Sequence, residues 1–275
     1  MKIFVSGATG FIGACLVKRL ADEGAVVHAL YRTESKAAPI RDLPGVVLFK
    51  GDLMDRSSLR AAMEGCETAY HTAAFAKAWT RDPEMIFRHN VDGALHVVES
   101  ARECGVKRVV VTSTAGILGP SANKEPVHES TPAPHSFFTL YEESKHLIEQ
   151  KLLSQAEKHP GIVIVNPTRV FGPGLLSESN SMTVMIDRYM KGRWRFLPGD
   201  GRSLGNYVFV EDVVTGHILA MERGKPGERY VLGGENVTFR QLFRYIREVS
   251  GVRKKMLNVP YPLMLAVAIT LEWFA

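Results

Sequence analysis

The 275-residue sequence has few cysteines and no block of like charges, and these absences narrow the class of the protein. Its three cysteines are odd in number, far apart and in no metal-ligand spacing, which favours reduced thiols over disulfides or a zinc site. This usage predicts a cytosolic protein. The formal net charge of +5 is spread along the chain, without a basic helix face carrying interleaved aromatics, so nucleic-acid binding is not expected.

The sequence also lacks an apolar run long enough to cross a membrane. The apolar stretch at residues 263–269 is followed by Thr270 and Glu272, and we expect a packed helix there. Because Lys2 runs directly into an apolar segment, we expect no signal peptide. The chain stops at Ala275 without a helix cap or breaker, which indicates either truncation or a helix whose continuation is missing.

Hydrophobic residues make up 45% of the chain, and no repeat or low-complexity segment interrupts it, so it can bury a full core. Short apolar runs alternate with segments of helical periodicity, a pattern typical of parallel strands that are buried on both faces. We therefore predict an α/β fold, a Rossmann-type doubly wound parallel sheet with right-handed crossovers. The apolar runs are residues 26–30, 46–49, 69–72, 109–112 and 162–165.

The pattern changes after residues 171–174, where longer polar loops and an amphipathic helix near residues 183–190 begin. We predict a dinucleotide-binding domain over residues 1–172 and a smaller, mainly substrate-binding lobe over residues 173–275. Residues 207–224 resume strand and helix, and they are expected to return to the first domain. In such sheets ligands bind at the carboxyl ends of the strands.

Three glycines at three-residue spacing follow the first apolar run. Gly7 lets the chain reverse, Gly10 has no side chain to keep a pyrophosphate from the backbone, and Gly13 allows the next helix to pack closely on its strand. The free N–H groups of that helix then point at phosphate oxygens, and the helix dipole favours the negative charge. By itself, the pattern also fits an ordinary strand-to-helix turn.

The residues after the second apolar run favour NADP over NAD. An NAD-binding protein usually has an acidic residue about 20 positions beyond the glycines, to accept hydrogen bonds from the adenosine ribose. Here Tyr31 and Arg32 occupy that place, and Arg32, with Lys36 nearby, can pair with a 2′-phosphate. Glu34 is a counter-signal, and solvated basic residues on a surface loop are the alternative interpretation.

Two further strand ends carry residues suited to a bound dinucleotide. Asp52 can accept a hydrogen bond from the exocyclic amine of adenine while Leu53 lies against the ring, although a plain turn with a helix cap explains this pair almost as well. Residues 72–74, Thr-Ala-Ala, are small enough for a cofactor backbone to pass. His71 is expected to be a satisfied core histidine and not a catalyst.

The most informative residues are the Thr-Ser-Thr-Ala-Gly run at 112–116 and the pair Tyr141 and Lys145. A tyrosine and a lysine four positions apart lie on one face of a helix, one turn from each other. A nearby ammonium stabilises the phenolate and lowers the pKa of the tyrosine, as proton exchange near neutral pH requires. Many helices have this spacing by chance, but after a glycine-rich turn and a hydroxyl-rich strand end it becomes a specific signal.

Over nearly its whole length the sequence resembles the extended short-chain dehydrogenase/reductase family, within the NAD-dependent epimerase/dehydratase superfamily. It is most similar to the branch of dihydroflavonol reductases and 3β-hydroxysteroid dehydrogenases, by its Thr-Ser-Thr-Ala-Gly run and by Arg32. The motifs that carry the resemblance are Gly7-x-x-Gly10-x-x-Gly13, Asp52-Leu53, His71-x-Ala73-Ala74, Asn90-Val91-x-Gly93, Tyr141-x-x-x-Lys145 and Asn-Pro-Thr-Arg-Val-Phe-Gly-Pro at 166–173.

The resemblance implies a catalytic triad of a hydroxyl, Tyr141 and Lys145. Tyr141 would exchange a proton with the substrate oxygen, and Lys145 would hold the nicotinamide ribose and tune Tyr141. Thr114 would hydrogen-bond the substrate carbonyl; because the family usually has serine at this position, Ser113 is the alternative. Asn90 would support backbone geometry, and Pro167 would lie against the nicotinamide. The cofactor contacts expected in all are Gly7, Thr9, Gly10, Phe11, Ile12, Gly13, Arg32, Lys36, Asp52, Leu53, Thr72, Ala73, Ala74, Tyr141, Lys145, Pro167 and Val170.

Three functional hypotheses follow. The first is an NADP-dependent reductase or dehydrogenase, with NAD as the alternative cofactor, acting on a carbonyl/alcohol pair in a fairly apolar small molecule. The second is a sugar-nucleotide epimerase or dehydratase; such enzymes have a diphosphate-binding arginine where this chain has Gly205, unless Arg195 or Arg202 substitutes. The third is a cofactor-sensing protein without catalysis, which usually lacks the tyrosine or the lysine. A homodimer through the helices around residues 91–101 and 141–153 is also implied by the resemblance.

Overall fold

A seven-stranded parallel sheet forms the centre of the computed structural model, which describes residues 1–77, 80–121, 125–155, 161–176 and 178–274. The sheet confirms the predicted doubly wound α/β fold, and its seventh, edge strand was not anticipated from the sequence. From one edge to the other, the strands are β10 (Arg229–Leu232), β6 (Gly161–Pro167), β5 (Arg108–Thr112), β4 (Thr68–His71), β1 (Lys2–Ser6), β2 (Val26–Tyr31) and β3 (Val46–Lys50).

Helices cover both faces of this sheet, so successive strand residues enter two different cores. On β6, Ile162 and Ile164 pack in one core, whereas Val163 and Val165 pack in the other. This explains why the strands are continuous apolar runs and not alternating ones. The first core includes α3 (Arg56–Met63), α5 (Gly93–Glu103) and α6 (Leu140–Ser154), and the second includes α1 (Phe11–Asp22), α2 (Glu34–Arg41) and α8 (Val210–Arg223).

The second lobe has its own core around Tyr189, Leu197, Tyr207 and Phe243. Of the segment expected to return to the main sheet, the helix α8 does pack there, whereas the strand β9 pairs within the lobe. The elements of the lobe are a sheet of β11 (Glu235–Thr238), β9 (Leu204–Phe209) and β7 (Arg169–Phe171), a pair of β12 (Leu257–Val259) and β8 (Phe196–Pro198), and helices α7 (Ser181–Met190) and α9 (Phe239–Ser250).

The apolar stretch at residues 263–269 forms part of α10 (Tyr261–Phe274). The expectation that it packs is wrong: Leu263, Val267 and Ile269 are each about half exposed, because no described element covers them. Among the helices that the structure describes, none combines the length and the apolar character needed to cross a bilayer.

The three cysteines are free thiols in the structure. Cys66 is buried, and burial raises the pKa of its thiol to about 11, which leaves it an unreactive part of the core.

Candidate active site

One cavity of about 600 Å³ runs along the carboxyl ends of the main strands and into the second lobe. Every residue that the sequence analysis assigns to the cofactor or to catalysis lines this cavity, although these residues come from seven separate stretches of the chain. The cavity therefore brings the predicted site residues together. It also includes residues that the sequence analysis did not single out, among them Phe75, Ala76, His89, Arg169, Leu175, Ser179, Ser181 and Met182.

The glycine-rich turn has the close approaches expected of it. Gly7 has a φ of +71°, and a Cβ there would overlap with the backbone of Ala73. A Cβ on Gly13 would overlap with the carbonyl oxygen of Gly7, so α1 packs against its strand only because this residue is glycine. These two contacts fix where α1 begins.

Gly10 is the N-cap residue of α1, and its geometry leaves room for a phosphate. Gly10 has no side chain that could accept hydrogen bonds from the first amides of the helix. A Cβ at this position would meet only the Gly7 carbonyl oxygen, at 3.1 Å. The helix amides therefore face a part of the cavity that an anion can reach. These residues fit the pyrophosphate of a dinucleotide.

At the adenosine end, Arg32 and Asp52 lie together. Arg32 Nη1 is 3.7 Å from Asp52 Oδ2, and the arginine side chain is 67% exposed, so this ion pair is weak. Glu34, the counter-signal for NADP, pairs instead with Arg41 and also bonds the Tyr31 hydroxyl, and these partners lower the pKa of its carboxyl. Glu34 therefore does not occupy the Arg32 guanidinium, which can bind a phosphate.

The turn of the alternative interpretation is present, but Asp52 itself is not the helix cap. The cap of α3 is Asp55, whose carboxylate accepts hydrogen bonds from the amides of Ser57 and Ser58. Asp52 accepts a hydrogen bond of 2.9 Å from the Met54 amide through one oxygen, in a turn that holds its carboxylate at the cavity.

Asn90 holds the loop after β4 at the edge of the cavity. Its side chain accepts from the Phe75 amide at 2.7 Å, and it donates to the Phe75 carbonyl at 3.2 Å and to Ser144 Oγ at 2.9 Å. It lies in a π-helical turn, Arg88–Asp92, between α4 (Pro83–Phe87) and α5, and such turns often occur at functional sites. The same turn places the His89 ring parallel to that of Phe75, with 6.0 Å between their centroids.

A capping box fixes the start of α6 and thereby positions Tyr141. Thr139 Oγ1 accepts from the Glu142 amide, and the Glu142 carboxylate accepts from the Thr139 amide, both at 3.2 Å. One turn later Lys145 is almost fully buried, and its Nζ donates a hydrogen bond of 2.8 Å to the Thr112 carbonyl oxygen. The tyrosine and the lysine thus reach the cavity from the same helix face, beside the end of β5.

The pKa values at this pair differ from the sequence expectation. Burial, and then the charge of Glu142, raises the pKa of Tyr141 to about 12, so the expected lowering is wrong for the protein alone. Burial lowers the pKa of Lys145 to about 8, and the carboxylate of Glu149 opposes part of that shift. Lys145 therefore titrates close to the physiological range, and Tyr141 stays protonated as a donor.

The two candidate hydroxyls differ in their surroundings. Thr114 is partly exposed to the cavity, and its Oγ1 accepts a hydrogen bond of 3.2 Å from the Gly116 amide, which leaves its own proton for donation. Ser113 is buried, and its Oγ has no hydrogen-bond partner among the described residues. Its amide donates to the Val165 carbonyl at 2.8 Å, so its place in the fold is set by the backbone.

A second buried group lies behind the hydroxyls. Glu149, one turn beyond Lys145 on α6, is 2% exposed and accepts a hydrogen bond of 2.7 Å from Asn166 Nδ2. The same amide donates to the Thr114 carbonyl oxygen at 3.1 Å, and Arg229 Nη1 pairs with the other carboxylate oxygen at 3.2 Å. Sequence reasoning missed this link because its four members lie on four separate segments of the chain.

His71 is buried in the core, and its imidazole ring is neutral. Its Nδ1 shares a hydrogen bond of 2.7 Å with Ser6 Oγ, whereas its Nε2 is buried without a partner among the described residues. Burial, and then the charge of Lys145, lowers the pKa of His71 to about 3, so the ring is neutral at pH 7 and is not poised to act as an acid.

The comparison with known protein families supplies the deciding observation. The sequence model of the "NAD dependent epimerase/dehydratase family" matches residues 3–233, most of the chain. The chain belongs to this family. Its members bind NAD(P), and the site described above fits such a dinucleotide at the glycine-rich turn and at the ends of β2, β3 and β4.

Relatives within the family include reductases and sterol-processing enzymes. The chain is 36% identical to sterol demethylase protein B of Methylococcus capsulatus, over 98% of this chain and 80% of that protein. It is 34% identical to cinnamoyl-CoA reductase 1 of Petunia hybrida, over 83% of this chain and 71% of that protein. The chain thus belongs to a family of oxidoreductases and epimerases, and its similarity extends to named reductases.

Solved structures of the family also include epimerases. The UDP-glucose 4-epimerase of Thermotoga maritima superposes with a TM-score of 0.84 and 26% identity, over 94% of this chain and 86% of that chain. The fold is thus shared by enzymes of both reaction types, and the residues of the site must distinguish between them.

Proposed function

We propose that this enzyme uses NADP to transfer a hydride between the nicotinamide and a carbonyl/alcohol pair in a fairly apolar small molecule. The observation that carries the proposal is the arrangement of Tyr141, Lys145 and Thr114 in the same cavity as the glycine-rich turn. A phenol, an ammonium and a hydroxyl around one point provide the proton and the polarisation that carbonyl reduction requires.

In the direction of reduction, a nicotinamide cofactor held by the glycine-rich turn and by the residues at the ends of β2, β3 and β4 would provide the hydride for the carbonyl carbon. Tyr141 donates its phenolic proton to the carbonyl oxygen, which becomes the alcohol oxygen. Lys145, protonated, stabilises the phenolate that remains, and Thr114 donates a hydrogen bond to the same oxygen as charge develops on it. Burial, and then the charge of Glu142, raises the pKa of Tyr141 to about 12 and keeps the phenol protonated.

The proposal that the cofactor is NADP and not NAD rests on the residues at the adenosine end of the cavity. Arg32 is exposed, borders the cavity and holds Asp52 only loosely, so a 2′-phosphate can replace that partner, with Lys36 also on the cavity wall. In this arrangement Asp52 accepts a hydrogen bond from the exocyclic amine of adenine, and Leu53 lies against the adenine ring. The homodimer and the cytosolic location remain predictions.

The alternative, a sugar-nucleotide epimerase or dehydratase, lacks the cations that the sequence analysis considered for it, although Arg169 of the second lobe borders the cavity. The two arginines considered as substitutes do not border the cavity: Arg195 donates to the Gly192 carbonyl, and Arg202 pairs with Asp200. Gly205 has no side chain to grip a diphosphate. A further alternative, cofactor sensing without catalysis, is disfavoured because Tyr141 and Lys145 are both present.

The test is a screen of apolar aldehydes and ketones, and of sugar nucleotides, with NADPH, following the loss of absorbance of the reduced nicotinamide. A reductase oxidises one NADPH per product molecule. Conversion of a sugar nucleotide without net loss of NADPH would instead identify an epimerase or dehydratase, because these return the hydride to their substrate.

A further inference from the structure

Arg169 is a cation at the substrate end of the cavity that the sequence motifs did not assign. It begins β7, two residues after Pro167, in the sheet of the second lobe. It is exposed and borders the cavity together with Leu175 and Met182. Arg169 lies in the three-stranded sheet of the lobe, whereas the cofactor residues at the ends of β1, β2 and β4 belong to the seven-stranded sheet.

The neighbouring β9 is shaped around this side chain. Arg169 and Tyr207 are partners across the parallel pair β7 and β9, and the guanidinium carbon lies 5.7 Å from the centre of the Tyr207 ring. A Cβ on Gly205 would overlap with Arg169 Nη1. The glycine therefore clears the space through which the guanidinium extends, and the buried tyrosine supports it.

The guanidinium has donors to spare. Its hydrogen bond within the described residues is a long one, 3.5 Å, from Nη1 to the Tyr207 hydroxyl. No carboxylate of the described residues lies within 4 Å of the Arg169 guanidinium, the distance limit for an ion pair. Arginine has five N–H donors in a planar fork that matches a carboxylate or a phosphate, so this one is suited to an anion from outside the protein.

We propose that Arg169 binds an anionic group, a carboxylate or a phosphate, on the substrate that is reduced at Tyr141. This rests on the proposed function, and it narrows the substrate class to carbonyl compounds with an apolar body and a negative charge away from the reacting carbon. Leu175 and Met182 contact the apolar body, while Arg169 holds the charged end through its fork. Substrate specificity then comes from the Arg169 guanidinium, which reaches the substrate through the space that Gly205 leaves open.

The experiment compares carboxylated and neutral substrates in unmodified protein and in Arg169→Gln. The probes are straight-chain methyl ketones that end in a carboxylate, in increasing chain length, each beside its methyl ester. In the unmodified protein we expect at least one acid to have a KM about tenfold or more below that of its ester, since a hydrogen bond to a charged group has that effect on affinity. In Arg169→Gln the difference in KM between the acid and its ester should disappear.

Two further variants separate charge recognition from folding. Arg169→Lys keeps the charge without the fork and should restore part of the preference for the acid. Arg202→Gln, which removes an exposed cation outside the cavity, should leave the preference unchanged. NADPH affinity, measured by fluorescence titration, should be equal in all four proteins; a loss confined to Arg169→Gln would assign this arginine to the cofactor and overturn the proposal.

The outcomes distinguish this proposal from the proposed function. If esters and acids are reduced equally well, Arg169 has no anionic partner, although the reductase function stands. If no ketone is reduced, calorimetric titration of the same acids into the protein saturated with NADP⁺ still tests whether Arg169 binds an anionic group. Binding of an acid, but not of its ester, that is lost in Arg169→Gln supports the assignment, and absence of such binding contradicts it.

Discussion

The buried carboxylate of Glu149 is joined to the carbonyl oxygen of Thr114 through a single amide group, that of Asn166. The carboxylate lies one helical turn beyond Lys145, and its charge partly opposes the lowering of the lysine pKa by burial. Glu149 is thus placed to act through two groups of the site without touching the cavity itself. We regard it as a positioning residue.

Glu149→Gln should shift the pH profile of kcat/KM. Without the negative charge, burial lowers the pKa of Lys145 further below about 8. Activity requires the lysine to be protonated and is lost as the pH rises through its pKa, so the alkaline limb should move to lower pH. The profile of Glu143→Gln, an exposed residue of the same helix, should match that of unmodified protein. An unshifted limb in Glu149→Gln would mean that Glu149 only supports the fold.

Tyr141→Phe should lower kcat by about 100-fold or more, because it removes the proton donor and keeps the ring. NADPH affinity, measured by fluorescence titration, should change little. Turnover at the unmodified rate on the identified substrate would disprove the assigned role of Tyr141.

Thr114→Ala and Ser113→Ala distinguish the two hydroxyls. Thr114 reaches the cavity with a proton to donate, so its loss should lower kcat/KM by about 10- to 100-fold. Ser113 Oγ is buried and unpaired among the described residues, so alanine there should leave both activity and thermal stability nearly unchanged. Thr114→Ser, which retains a hydroxyl, is the matched control and should keep most of the activity. The reverse ranking would make Ser113 the catalytic hydroxyl.

Arg32→Ala should weaken NADPH binding by about tenfold and leave NADH binding unchanged. A hydrogen bond to a charged group contributes about 1.5 to 3 kcal/mol, and the 67% exposure of Arg32 favours the lower end. Titration at two salt concentrations measures the effect, and Arg19→Ala, an exposed arginine of α1 paired with Glu23, is the control. Equal affinities for NADPH and NADH in unmodified protein would show that Arg32 does not select the cofactor.

Acid should destabilise the protein through its buried histidines. Burial lowers the pKa of His217 to about 4 and that of His71 to about 3, against about 6.5 in the unfolded chain. Between about pH 6.5 and 4 the unfolded state binds more protons, so stability falls as the pH falls, by about 1.4 kcal/mol per pH unit for each histidine.

Denaturant titrations across this pH range measure that slope. His217→Gln removes one titrating group, while its amide oxygen can still accept the hydrogen bond from Thr112 Oγ1. Its slope should be reduced by about half. An unchanged slope would mean that the acid sensitivity arises elsewhere in the chain.

The sequence alone determined the main sheet and most of the cofactor end of the site. Local patterns suffice there: continuous apolar runs mark strands buried on both faces, Gly7 and Gly13 mark approaches that no side chain permits, and Tyr141 and Lys145 share a helix face by their spacing. Since strand ends of a parallel sheet meet at one edge, residues following separate runs were expected in one place, and they line one cavity.

Tertiary structure decided what depends on distant residues or on burial. The edge strand β10 joins the main sheet from beyond the second lobe, and its Arg229 completes the ion pair of Glu149. Arg169 extends over Gly205 because β7 and β9 pair in a separate sheet, a register that neither segment encodes by itself. The pKa of Tyr141 rises where spacing predicted a fall, because desolvation depends on everything packed around the phenol and not on its distance along the chain from Lys145.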